Sequence, residues 1–278
     1  MTCIDTVNLP NWTEGQTDKM EKALAVYTVA MGAEFSLPAT VPCSGVSYIC
    51  FSDRPQVNPN GWTVQIVEPL LPLDLTRSSR EQKIRPHRWL SDFDRSIYID
   101  TKVQLTASPL DLWDYLVPTE DTIFGALHHS FRDSIEDEFA LVKGKGFDNR
   151  DVLKEQLEIY RKIAPEVLTS RPVWGGMLAR RHNDRDLLNA MELWFAHVLR
   201  YSRRDQLSLV LALSKLPQER ISLTTCNNHE SAFHVWPVGN VEKPARFFEE
   251  LPATKRTAKD YVLDPLRYLR HLAQRGAK

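Results

Sequence analysis

The sequence holds no C-x-x-C pair, no apolar run long enough to cross a bilayer, and no surplus of either charge. Each absence excludes something. Its four cysteines, Cys3, Cys43, Cys50 and Cys226, are scattered over 278 residues, which argues against a zinc site or a dense disulfide framework and for a reducing compartment. Without an apolar stretch of about 20 residues no transmembrane helix is expected. The opening MTCIDTVNLPNWTEG lacks the basic start and apolar run of a secretory signal, so a cytoplasmic protein is expected, one at the inner face of a membrane included. With 35 basic and 36 acidic side chains, a net charge of -1, no overall positive field draws the chain to nucleic acid, and any anion site must be local.

What is present is an alternation of strands and helices. Apolar runs over 23–30 (ALAVYTVA) and 46–51 (VSYICF) read as buried strands, and Trp62 to Glu68 alternates like a half-buried one. A basic helical segment carries Arg77, Arg80, Ile84, His87 and Arg88 on one face, with a bend or end expected at Pro86. It leads into the strand Ser96-Ile97-Tyr98-Ile99. Ser108 caps a short helix with Pro109 at its first position. Thr122 to His129 forms another strand, followed by an acidic loop and a helix over roughly 148–163. Val173 to Leu178 is a further strand, and helices over 186–199 and 206–216 follow. This order predicts one α/β domain over 1–278 with a mostly parallel sheet between two helical layers. Its core spans about 23–240, with a charged helical tail over 241–278.

In such sheets ligands bind where strands end. Asp100-Thr101-Lys102 closes the strand at Ser96, and Asp100 there would bind ribose hydroxyls or a divalent cation, or simply cap the turn. The basic segment, Arg77, Arg80, Lys83, Arg85, His87 and Arg88, would clamp a diphosphate through charge-assisted bonds, or line a solvated helix face. His128 and His129 end the next strand, and one of the two should point away from the crevice. Asp205 in Ser202-Arg203-Arg204-Asp205 is either catalytic or part of a helix cap. Glu136 to Glu138 read as a solvated loop, and His229 and His234 as loop or core histidines.

Arg77, Arg80, Lys83, Pro86 and His87, spaced as they are before S-I-Y-I-D-T-K-V-Q-L, resemble the TOD/MUCI glycosyltransferase-like family. So do Arg181-His182-Asn183, Glu192-Leu193-Trp194 and YSRRDQLSL at 201–209. The likeness covers about Ala23 to Leu213, and more broadly it is to the GT-A transferases that use nucleotide sugars. It implies a GT-A-like, Rossmann-like three-layer fold and a hexosyltransferase-like enzyme taking a UDP- or GDP-linked sugar to a glycan or lipid-linked acceptor in cell-surface polysaccharide synthesis. By that resemblance Asp205 faces the sugar and is the base if configuration inverts, and Gln206, with His128 and His129, belongs to the sugar pocket. His182 and Asn183 line the acceptor, and Gly175 and Gly176 let backbone approach the donor. Where a GT-A transferase has a second acid, this chain has Lys102. Either Asp100 holds Mn²⁺ or Mg²⁺ with help from His234, or Lys102 and the basic segment neutralise the leaving diphosphate without metal. A nucleotidyltransferase is the rival enzyme, although only Met31-Gly32-Ala33 stands where its glycine-rich loop belongs. A non-catalytic nucleotide-sugar-binding domain is the third reading.

Overall fold

The computed structural model describes residues 24–237. Cys3, Ala23 and the expected tail helix over 241–278 lie outside them. Strands β1 (Leu24–Ala30), β2 (Val46–Ser52) and β3 (Thr63–Ile66) precede helix α1 (Leu75–Ile84), and a single 3-10 turn at Pro86–Arg88 follows it. Next come β4 (Arg95–Ile99), β5 (Gln104–Leu105), α2 (Pro109–Leu116) and β6 (Phe124–His128). Helices α3 (Ile135–Lys145), α4 (Arg150–Ile163) and α5 (Pro165–Thr169) lead to β7 (Val173–Arg180). The described chain ends with α6 (Arg185–Arg200), α7 (Gln206–Leu213), β8 (Ile221–Thr224) and β9 (His234–Val235).

Seven strands form one sheet in the order β3-β2-β1-β4-β7-β6-β8. All its pairings are parallel except those of β7, which runs antiparallel to β4 and to β6. The mixed but mostly parallel α/β architecture expected from the sequence is present. β1 is buried along its whole length, as a central strand covered on both faces must be. Tyr27, Phe51, Tyr98 and Leu178 pack on one side against Trp194 and Leu209 of α6 and α7. Val26, Ile97 and Ile99 pack on the other against Leu112 and Trp113 of α2. Helices α3 to α5 gather a third core around Phe139, Tyr160 and Leu207.

Several local expectations change. The segment read as an acidic loop is the first turn of α3. Ser134 accepts a hydrogen bond from the Asp137 amide, and Glu136, Asp137 and Glu138 sit where acids favour the positive helix end. α5, β8 and β9 are too short to register in periodicity. The bend at Pro86 is where it was expected, α1 ending one residue before Arg85.

Candidate active site

Two ends of the same sheet have different chemistry, and the direction of β7 sorts the residues between them. β4 runs out at Ile99, and the Asp100 amide donates to the Gly176 carbonyl near the start of β7 at 2.9 Å. Gly175 and Gly176 therefore lie beside Asp100. β6 runs parallel to β4, so His128 and His129 reach this edge as well, two strands away.

Lys83 is the centre of the edge. Its ammonium is 2.7 Å from Asp205 Oδ2 and 3.9 Å from Asp100 Oδ1, and it stands 4.8 Å over the Tyr98 ring. Arg80, one turn earlier on α1, brings Nε to 3.4 Å from the same Asp205 oxygen. α1 is held for this task. Asp74 caps it at the Arg77 amide, while the Tyr27 hydroxyl and the Arg180 guanidinium both donate to the Lys83 carbonyl, at 2.9 and 2.7 Å. Asp205 stands at the start of α7 without capping it; its backbone carbonyl accepts instead from the Trp194 indole. Burial opposes the Asp205 charge, but Arg80, Lys83 and then Arg204 outweigh that and hold the carboxyl far below the usual carboxylate range. With Lys83 at 2.7 Å and Arg80 at 3.4 Å, the Asp205 carboxylate is occupied as their counter-charge, a role that competes with that of base.

Asp100 is different. Its side chain is 41% exposed, and one oxygen accepts from the Tyr98 hydroxyl at 2.6 Å, leaving the other to solvent. Burial, then Asp100 itself, pushes the Tyr98 phenol well up, so it remains a donor. Gly175 closes the group: a Cβ there would meet Lys83 Nζ at 3.1 Å, Gln206 Cγ at 3.6 Å and Asp205 Oδ2 at 3.8 Å. Gly176 has another role, because a Cβ there would overlap the Trp174 ring. Lys102, part-exposed in the turn after Asp100, completes the edge.

The remaining expected residues are placed elsewhere. His182 and Asn183 follow β7, whose Arg180 pairs with Ser96 at the beginning of β4. They therefore sit at the opposite end of the sheet from Asp100, where His182 bonds Ser96 and the Leu90 carbonyl and Asn183 bonds the Phe93 carbonyl. Neither can line an acceptor beside Asp100. Arg77 spends its guanidinium on the carbonyls of Val198 and Tyr201 and on Asp74, tying α1 to the end of α6. His87 meets Glu192 of α6 at 3.2 Å, beyond the end of α1, and burial pushes its pKa down despite that carboxylate. His128 lines a cavity with Arg171, Val210 and Leu213 of the neighbouring segments. His129 stays at the edge; burial, then Arg132, Arg171 and Arg204, lower its pKa to about 4.

Among the described residues the donors do not assemble a site for a divalent cation. The Nδ1 of His234 faces Ser231 Oγ at 2.7 Å and its Nε2 faces the Asn228 carbonyl at 3.1 Å, so neither ring nitrogen is left for metal. Asp205 is committed to Lys83, and among the described residues no three His, Cys, Asp or Glu side chains converge.

Two partners escaped the sequence reading. Tyr98 lies two residues before Asp100, hence on the same strand face, and that alternation was a usable signal. Glu138 is 1% exposed with Arg132 3.4 Å away, and burial raises its pKa against the pull of Arg204 and Arg132. Nothing in a run of three acids marks the buried one.

A family model described as TOD1/MUCI70, glycosyltransferase-like domain, matches residues 56–234. The probable hexosyltransferase MUCI70 of Arabidopsis thaliana is 26% identical over 163 residues, 56% of this chain and 28% of that protein. The chain thus matches under a third of that relative's length. Among solved structures, the apo WbbM bifunctional glycosyltransferase aligns with a TM-score of 0.43 and 11% identity over 75% of this chain and 39% of that one. Apo mouse xyloside xylosyltransferase 1 aligns with a TM-score of 0.40 and 9% identity over 74% and 85%.

Proposed function

This chain belongs to the TOD1/MUCI70 glycosyltransferase-like family, and from that premise we propose that it transfers a sugar from a UDP- or GDP-linked donor to a glycan or lipid-linked acceptor, in the synthesis of cell-surface polysaccharide. The observation that carries the reading is Lys83, buried between the ion-paired Asp205 and the half-exposed Asp100 at a strand end.

Sugar transfer breaks the bond between the anomeric carbon and the diphosphate oxygen, whose electron pair leaves with the diphosphate. The acceptor oxygen bonds to that carbon and gives up its proton to the departing diphosphate, the base that the bond cleavage itself generates. Positive charge grows on the sugar ring as negative charge grows on the phosphate. A fixed cation beside a fixed anion, both withdrawn from water, can meet the two charges without reorganising. In this reading Lys83 and Arg80, with Lys102 in the turn, face the leaving diphosphate, and the ion pair with Asp205 holds Lys83 at the edge. The free oxygen of Asp100 accepts hydroxyl groups of the donor. Charge neutralisation is assigned to these cations because the described residues around Asp100 and His234 do not assemble a site for a metal ion.

Calorimetric titration with UDP- and GDP-sugars, followed by release of free nucleotide diphosphate, tests this. Turnover of a nucleotide sugar is expected, and Asp100→Ala should lower it by about a hundredfold, a loss typical of one well-placed polar contact at the reacting centre, while the melting temperature stays within a few degrees. Turnover of a nucleoside triphosphate instead would favour nucleotidyl transfer. Binding with no turnover in either assay would make the domain a nucleotide-sugar receptor.

A further inference from the structure

Past His129 the edge continues as a line of aromatic rings that the reaction centre does not use. His129 and Phe131 meet at 5.8 Å between ring centroids, Phe131 and His229 at 4.8 Å, and His229 stacks on Trp236 at 5.3 Å. Trp236 in turn meets Trp174 of β7 at 5.7 Å, and Trp174 is the residue before Gly175. The line is anchored. Asn228 accepts from the Ser130 amide at 2.7 Å and donates to the His128 carbonyl at 3.0 Å, and the Trp236 amide donates to the His229 carbonyl at 2.7 Å. Two loops distant in sequence are thus joined so that their rings touch. Phe131 nevertheless remains 48% exposed, and His229 is exposed beside it.

We propose that Phe131, His229 and Trp236 form a platform for pyranose rings of the acceptor glycan; this rests on the transfer reading above. A pyranose presents one face of C–H groups, which suits the negative face of an aromatic ring, and a periphery of hydroxyls. The rim here offers matching polar groups: Arg171 lies against the His129 carbonyl at 3.1 Å, and Arg132 adjoins Phe131, to whose carbonyl it donates. Position supports the same occupant. Asp100 and the end of β6 are two strand spacings apart, about 10 Å, a span a short oligosaccharide bridges from the platform to the reacting carbon. A protein partner fits poorly, because a stable interface covers roughly 800 Å² on each side, and Phe131 is the one large exposed hydrophobic side chain of this line among the described residues.

The test is saturation-transfer NMR with gluco-, manno-, xylo- and galacturono-oligosaccharides on the whole chain. At least one series should bind, with transfer from Phe131 ring protons. Phe131→Ala should weaken that binding about tenfold, the worth of one stacked ring, whereas Phe131→Trp retains it. Leu73→Ala, at a side chain 91% exposed between β3 and α1, should leave it unchanged. Absence of binding across all four series at millimolar concentration overturns the proposal, as does equal binding by wild type and Phe131→Ala. Nucleotide-sugar turnover is scored on the same preparation: binding without turnover removes the transfer reading alone, and turnover without binding removes the platform alone.

Discussion

Asp205 and Lys83 illustrate how burial gives a residue its character. Each is almost wholly withdrawn from solvent, at 6% and 4% side-chain exposure, and a buried charge is tolerated only with a partner. Removing one member leaves the other stranded, so Asp205→Ala should cost about 3–5 kcal/mol in urea denaturation. The double variant Asp205→Ala, Lys83→Met should recover about half of that loss, since Arg80 still lacks its counter-charge, yet show no donor turnover. A double variant as unstable as the single one would mean the pair is not coupled. The sequence marks both residues as candidates but leaves Asp205 equally readable as a cap. What separated the two was the side chain's direction: it turns from its own helix amides toward cations contributed by α1, and no spacing within SRRDQ encodes that.

At the scale of the element, β7 decides most. Its composition identifies a strand, and its glycine pair suggests close approach, but a strand's direction in a sheet follows from the length and path of the connection before it. Here α3, α4 and α5 intervene between β6 and β7, and β7 returns antiparallel. That reversal brings Gly175 to Asp100 and carries His182 and Asn183 to the far end. The two glycines should respond differently to an added methyl. Gly175→Ala presses on the flexible tip of Lys83, so stability should change by less than about 1 kcal/mol, while turnover falls roughly tenfold or more through the displaced ammonium. Gly176→Ala presses on the fixed Trp174 ring and should cost about 1–3 kcal/mol as an overpacked core does. Melting curves and turnover measured side by side check both, and equal destabilisation by the two variants would contradict the geometry.

The molecule as a whole should lose stability in acid before its carboxylates titrate. His182 and His129 are held to a pKa of about 4, by burial first in each case and, for His129, by the three arginines after it. A histidine whose folded value lies below its unfolded value of about 6.5 favours the fold above that pH and loses the contribution as pH falls toward the folded value. For the buried His182, paired as a neutral ring with Ser96 and Leu90, this amounts to on the order of 2 kcal/mol between pH 7 and pH 4.5. Asp205, depressed rather than raised, adds its own loss only below about pH 4. Thermal unfolding across pH 7 to 4.5 should show the decline, and it should be shallower in His182→Asn; equal slopes would place that histidine outside the linkage.

Read alone, the sequence determined most of the strands and most helices, because apolar periodicity and caps such as Ser108 are local properties of the chain. It also determined the strand-end position of Asp100 and the basic character of α1, since both follow from residues within a few positions of one another. Tertiary structure alone decided which charges meet. Lys83 finds Asp205 across more than a hundred residues, Arg77 is drawn off to α6, His234 closes on its own loop, and His129 joins Phe131 and His229 along one edge. Those choices depend on the order and direction of strands in the sheet, which long connections set and no local pattern records.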